Sequence, residues 1–174
     1  MTNVAFGTVK NLAGTPPVKR VELYLVPSGY SYSVDHRSWS FASGHSVAFV
    51  IPQDDPDFSH TSVRTVAHEL LHAWVGPHAT SSASNELAAA TMENCAELQA
   101  FGFANELDKS PVNPADLGRL SGESNAMRAT LQARYKDDPA LDYLFLDGKV
   151  RASDSNAVAL YTLCRQRAAA AVTL

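Results

Sequence analysis

The sequence predicts an α+β fold: a small N-terminal sheet, then a helix carrying a paired-histidine motif, then further helices. Three observations carry this. Two runs rich in β-formers, Val21–Val26 and Val47–Ile51, lie in the first third of the chain. From residue 63 onward, apolar residues recur at helical spacing. Two Ala-rich, proline-free stretches, residues 86–107 and 154–171, have the composition of long helices.

Taken in order, residues 1–20 read as irregular and end in the turn-prone Gly14-Thr15-Pro16-Pro17. The strand at 21–26 is closed by Pro27-Ser28-Gly29. Residues 30–45, rich in Ser, Tyr, Trp and His, read as a long loop with room for a short strand. The strand at 47–51 stops at Pro52, and Asp54-Asp55-Pro56-Asp57 is a turn better suited to helix capping than to calcium. Ser59, Thr61 or Ser62 caps a helix over 63–75, where Val66, Leu70 and Leu71 share a face and Gly76-Pro77 ends the run. Ser84 or Asn85 caps the helix at 86–107. Asn113-Pro114 opens a short helix, and residues 122–136 are helical. Asp138-Pro139 restarts a helix or short strand around Leu141–Leu146, and Asp147-Gly148 turns the chain into the last helix. With no internal repeat or low-complexity linker, we expect one domain over 1–174, its core at about 20–107 and a helical C-terminal part at about 108–174.

Composition narrows the function. The chain has 174 residues, 45% hydrophobic and 18% charged, with a formal net charge of −4. That is a globular balance, not a disordered one. No Lys/Arg-rich stripe exists, which argues against nucleic acid and anionic membrane surfaces as partners. No apolar run approaches the ~20 residues of a membrane span. The N-terminus has neither a basic region nor a continuous apolar one, so a cytoplasmic location is expected. Cys95 and Cys164 are too few for a disulfide scaffold and form no C-x-x-C pair. They are expected as two buried free thiols, with a single disulfide between them as the alternative.

The informative segment is His68-Glu69-Leu70-Leu71-His72, an H-E-x-x-H on an expected helix. Residues i and i+4 project from one helix face, a turn apart. Two imidazoles placed so can share one zinc at roughly 2.0–2.1 Å each. Glu69 is rotated toward a metal-bound water, where a carboxylate can take a proton and later return it to a leaving amine. With six His and seven Glu in the chain, random placement would give such a motif roughly once in a hundred sequences. The alternative without chemistry is two ordinary helix histidines.

A catalytic zinc needs a third protein ligand, and two candidates follow. Glu93 lies on the next helix, which a short loop could fold back against the first. Glu97, one turn later, would then accept a hydrogen bond from the outer ring nitrogen of a zinc-bound histidine. His78 is the alternative ligand, with Gly76-Pro77 turning the chain so that it could swing back.

His68–His72 followed by Glu93-Asn94-Cys95-Ala96-Glu97 resembles the gluzincin arrangement of zinc metallopeptidases. That resemblance implies a glutamate third ligand with an acidic or amide residue four positions later. More narrowly, three stretches are similar to ImmA/IrrE-type minimal gluzincins: Val50-Ile51-Pro52, Thr65-Val66-Ala67-His68-Glu69-Leu70-Leu71-His72, and Glu93-x-x-Ala96-x-x-x-Ala100. The family sets an edge strand, the motif helix and an E-x-x-A helix in this order. The likeness spans about residues 47–107. It departs from the family in having Glu at position 97, where Asn or Asp is usual, and no segment of the chain can be assigned as a DNA-binding annex. His72-Ala73-Trp74-Val75-Gly76-Pro77-His78 is also similar to WLM/SprT-like protease domains, although Ala79-Thr80-Ser81-Ser82 lacks the aromatic residue expected soon after.

These resemblances imply a zincin-like minimal metalloprotease that hydrolyses a peptide or protein substrate with Zn2+. Its zinc would sit on His68, His72 and Glu93, with Glu69 as general base and acid. Tyr135, Tyr143, Tyr161, His45 and Arg64 are candidate donors to an oxyanion, and the sequence does not rank them. Val47–Ile51 is a candidate edge for an extended substrate, and Trp74 reads as core packing. A zinc-holding interaction module without turnover and a metal-free domain are the competing readings. The sequence is silent on oligomeric state.

Overall fold

The computed structural model describes residues 2–15, 18–26, 45–52, 58–75, 82–105, 139–145 and 147–172. In chain order the elements are α1 (Thr2–Ala13), β1 (Val18–Val26), β2 (His45–Pro52), α2 (Phe58–Val75), α3 (Ser82–Phe101), β3 (Phe103–Asn105), α4 (Pro139–Leu144), β4 (Lys149–Arg151) and α5 (Ser155–Val172). Helices dominate, and the strands form two small sheets, so the α+β class holds. β1 and β2 pair in parallel, with Val21 opposite Val47 and Leu25 opposite Ile51. β3 and β4 pair antiparallel, with Asn105 opposite Lys149.

The first correction is at the N-terminus. Residues 2–13 are a helix, not irregular chain. Ala5, Thr8 and Val9 are buried and Leu12 packs against the core, a spacing of one helical stripe. Thr2, Asn3 and the central Gly7 give this segment weak intrinsic propensity, so tertiary burial makes the helix. It ends at Gly14, whose positive φ of 97° suits glycine and whose N–H reaches the Lys10 carbonyl at 3.1 Å. The strand then begins at Val18, three residues before the expected start.

The second correction concerns the helix expected over 86–107. It starts earlier, at Ser82, and stops at Phe101. Gly102 takes a φ of 76° and donates to the Leu98 carbonyl, and the chain enters β3. The third concerns the cysteines. Cys95 and Cys164 form a disulfide joining α3 to α5, not two free thiols. The expected helix at the start of 139–146 and the final helix are present. However, the C-terminal part also supplies a strand, β4. The segments expected around Asn113-Pro114 and at 122–136 lie outside the described residues.

The core sits between α1, α2, α3 and α5. α2 buries Val63, Val66, Ala67, Leu70 and Leu71, all at 0% exposure. α5 buries Ala157, Leu160, Cys164, Ala168 and Ala171 as a stripe of three- and four-residue steps. Trp74 packs against this core and covers the helix exit at Gly14. Among the described residues, no helix is long and apolar enough to cross a membrane.

Candidate metal centre

Four side chains of α2 recur every four residues: His60, Arg64, His68 and His72. A four-residue step nearly completes one helical turn, so they form one stripe. α3 faces it with Asn85, Glu93 and Glu97, also separated by multiples of four. The partners run in opposite order along the two helices: His60 with Glu97, Arg64 and His68 with Glu93, and His72 with Asn85. The helices are therefore antiparallel, and a polar ladder separates them inside an otherwise apolar interface.

All three ladder histidines use Nδ1 in the same way. The distances from Nδ1 to oxygen are 3.0 Å for His60, 2.6 Å for His68 and 3.1 Å for His72. An oxygen partner puts a proton on Nδ1 and leaves the Nε2 lone pair as the donor atom. The Nε2 atoms of His68 and His72 face each other at 2.9 Å, with the rings edge to face at 79°. Two lone pairs at that distance repel unless a proton or a cation lies between them. Two zinc bonds of roughly 2.0–2.1 Å at a tetrahedral angle need nitrogens about 3.3 Å apart. A few tenths of an ångström of opening therefore meets that spacing, and the group could hold a metal ion.

Glu69 completes the group. One of its carboxylate oxygens and one ring nitrogen from each histidine lie within 4.8 Å of one another. The residue is 3% exposed, so its carboxylate sits inside the protein and close to the nitrogen pair.

Glu93 and Glu97 take positions different from those expected. Glu93 Oε1 accepts from Nδ1 of His68, and Oε2 accepts from Nε of Arg64 and lies 3.0 Å from its Nη2. Its carboxylate thus grips the outer nitrogen of a motif histidine, the part foreseen for Glu97. Burial pushes the Glu93 carboxyl up, but the hydrogen bond and charge of His68, with the charge and hydrogen bond of Arg64, outweigh it and hold it below the ordinary value. Glu97, 1% exposed, serves His60 and the backbone N–H and side-chain amide of Asn105. It holds β3 and His60 in place and touches neither motif histidine.

Of the oxyanion candidates, Arg64 is committed to Glu93, Tyr143 is 67% exposed, and the Tyr161 hydroxyl donates to Gln99. His78 and Tyr135 lie outside the described residues, as does the side chain of His45. Sequence reasoning missed His60, Asn85 and Asn105. The recurrence 60-64-68-72 was the available signal. No family model, no curated protein and no solved structure matches the chain.

Proposed function

We propose that the protein is a zinc-dependent metallopeptidase of zincin-like, gluzincin type, acting on peptide or protein substrates. The observation that carries this is the facing Nε2 pair of His68 and His72 with the buried Glu69 carboxylate beside it. His68 and His72 would hold the metal through Nε2, each ring oriented by an oxygen of α3 on its other nitrogen. Bound there, zinc supplies Lewis acidity toward a carbonyl and an acidified water. Glu69 takes the water's proton and returns it to the leaving amine. As seated, Glu93 acts through His68. It becomes a direct ligand only by releasing His68 and Arg64.

β2 pairs with β1 along one edge, and among the described residues no strand covers the other. That edge supports the reading that an extended substrate adds there as a strand. The cytoplasmic expectation and the Cys95–Cys164 bond pull in opposite directions, because disulfides persist in oxidising compartments. Thiol titration of protein taken from its native source decides between them.

The deciding experiment pairs metal content by elemental mass spectrometry with peptide cleavage. Wild-type protein is expected to hold about one zinc per chain and lose it in His68→Ala and His72→Ala. Glu69→Gln is expected to keep zinc and thermal stability while cleavage falls by at least about 100-fold. Loss of all zinc in Glu93→Ala would make Glu93 the third ligand, and loss in His78→Ala would give that place to His78. A wild-type protein that takes up no zinc on reconstitution would end the metallopeptidase reading.

A further inference from the structure

Beside the metal centre, residues of α2, α3, β3 and β4 line a cavity of about 510 Å³. Its described lining runs from Glu93, the residue gripping His68, past Arg64 to His60, Phe103, Asn105 and Lys149. That volume is in the range of ligand-binding clefts. Its far wall is ordered by two stacked features. The His60 ring lies on Phe101 at 3.9 Å between centroids and 16° between planes, and Lys149 Nζ lies 4.0 Å above the Phe103 ring.

The charged groups lining this cavity differ in how far they are paired. Both carboxylates that line it are already engaged: Glu93 by His68 and Arg64, Glu97 by His60 and Asn105. Thr65 Oγ1, Asn105 Oδ1 and the Nε2 lone pair of His60 can still accept, whereas Lys149 only donates. Lys149 has three N–H bonds, and among the described residues no carboxylate lies within ion-pair distance of it. Asp147 and Asp154 line a second cavity that Lys149 also lines, and neither forms an ion pair with it. The β3–β4 register puts Arg151 on the same face as Phe103 and Lys149. The cavity wall therefore carries one cation, Lys149, that has no carboxylate partner among the described residues.

We propose that this cavity is a subsite for a carboxylate of the substrate, held by Lys149. His60 lies eight residues from His68 along α2, about 12 Å at 1.5 Å per residue. An extended peptide advances about 3.3 Å per residue. A substrate group level with His60 thus belongs to a residue about three to four positions from the bond at the metal centre, and Lys149 lines the same cavity. The source is an acidic side chain of the peptide. A free C-terminus at that distance offers the same chemistry and is separated by the test. This subsite rests on the peptidase reading for its purpose, but its test does not require cleavage.

The experiment measures binding by fluorescence anisotropy of labelled Gly/Ala octapeptides that differ in one residue: Glu, Gln or Lys. Each has an amidated C-terminus, and a fourth probe has Gln with a free C-terminus. Wild-type protein is expected to bind the Glu peptide about two- to fivefold more tightly than the Gln peptide. Lys149→Gln is expected to erase that difference and Lys149→Glu to turn it toward the Lys peptide. Zinc content and thermal midpoint, measured alongside, are expected to stay at wild-type values and show that the variants fold. Preference for the free C-terminus over the Glu side chain would assign the site to a chain end and overturn the side-chain proposal. Equal affinity of wild type for Glu and Gln peptides, or a preference that survives Lys149→Glu, would overturn the subsite. Neither result would touch the zinc site, which stands or falls on metal content and on Glu69→Gln.

Discussion

The two faces of α3 are built from opposite materials. Toward α2 it presents Asn85, Glu93 and Glu97, each bonded to a ladder histidine. Toward α5 it presents Cys95, closed into a disulfide with Cys164, and Thr91, whose hydroxyl accepts a hydrogen bond from Arg167. Polar groups at a helix interface must find partners or they destabilise it. An interface that carries three histidines and two carboxylates is organised for position more than for strength. The covalent tie on the other face holds α3 where the ladder requires it. Stability and chemistry are thus divided between two sides of one helix, and variants on the two sides are expected to separate them.

The largest effect is expected on the α5 face. The disulfide closes a separation of 69 residues. Its removal is expected to cost about 2–5 kcal/mol by restoring freedom to the unfolded chain. Cys95→Ala with Cys164→Ala should lower the denaturant midpoint strongly. Zinc affinity, measured well below that midpoint, should stay near wild type, since no ladder residue changes. A zinc affinity that falls in step with stability would erase the distinction between the faces.

The reverse pattern is expected from the ladder. Glu93→Ala leaves His68 Nδ1 and Arg64 without their carboxylate in a mostly buried setting. It is expected to cost about 1–3 kcal/mol of stability. If Glu93 acts through His68, zinc affinity falls about 10–100-fold and no further. Competition with a chelator of known affinity measures this. Asn85→Ala, which frees His72 Nδ1 from a neutral partner, should shift affinity in the same direction by less.

How much of this was legible beforehand follows from the same division. The motif helix, the two strand cores and the last helix could be read because each has a strong local period or an evident stop. The N-terminal helix could not, because its stability comes from burying Ala5, Thr8 and Val9 against elements distant in sequence. The end of α3 at Gly102 carried a local signal that an Ala-rich run obscured. At the site, spacing alone identified His68, Glu69 and His72 as one group. It also identified Glu93 and Glu97 as one stripe, but not their register against α2. A shift of one turn exchanges their partners, and that shift depends on how two helices dock. His60 belonged to the stripe from the start, four and eight residues before Arg64 and His68. The four-residue recurrence marked its face, and its role emerged only with Glu97 opposite.

The smallest expected effect tests whether polar contacts on the α5 face matter beside the disulfide. The Tyr161 hydroxyl donates to Gln99 at 3.3 Å near the surface. Tyr161→Phe is expected to cost about 0.5 kcal/mol or less at neutral pH. A larger change is expected in the pH dependence. Burial raises the phenol above its ordinary value of 10.0, because the phenolate loses more from desolvation than the neutral ring. The folded state then keeps a proton that the unfolded chain has begun to release. Stability is flat below the unfolded phenol's pKa and falls as the pH rises from there through the raised folded value. Thermal midpoints of wild type and Tyr161→Phe between about pH 9 and 11 should therefore converge or cross, with the wild type falling more steeply. Parallel slopes would mean that the phenol titrates as it does in solvent, and that the surface end of this face adds nothing to the covalent tie.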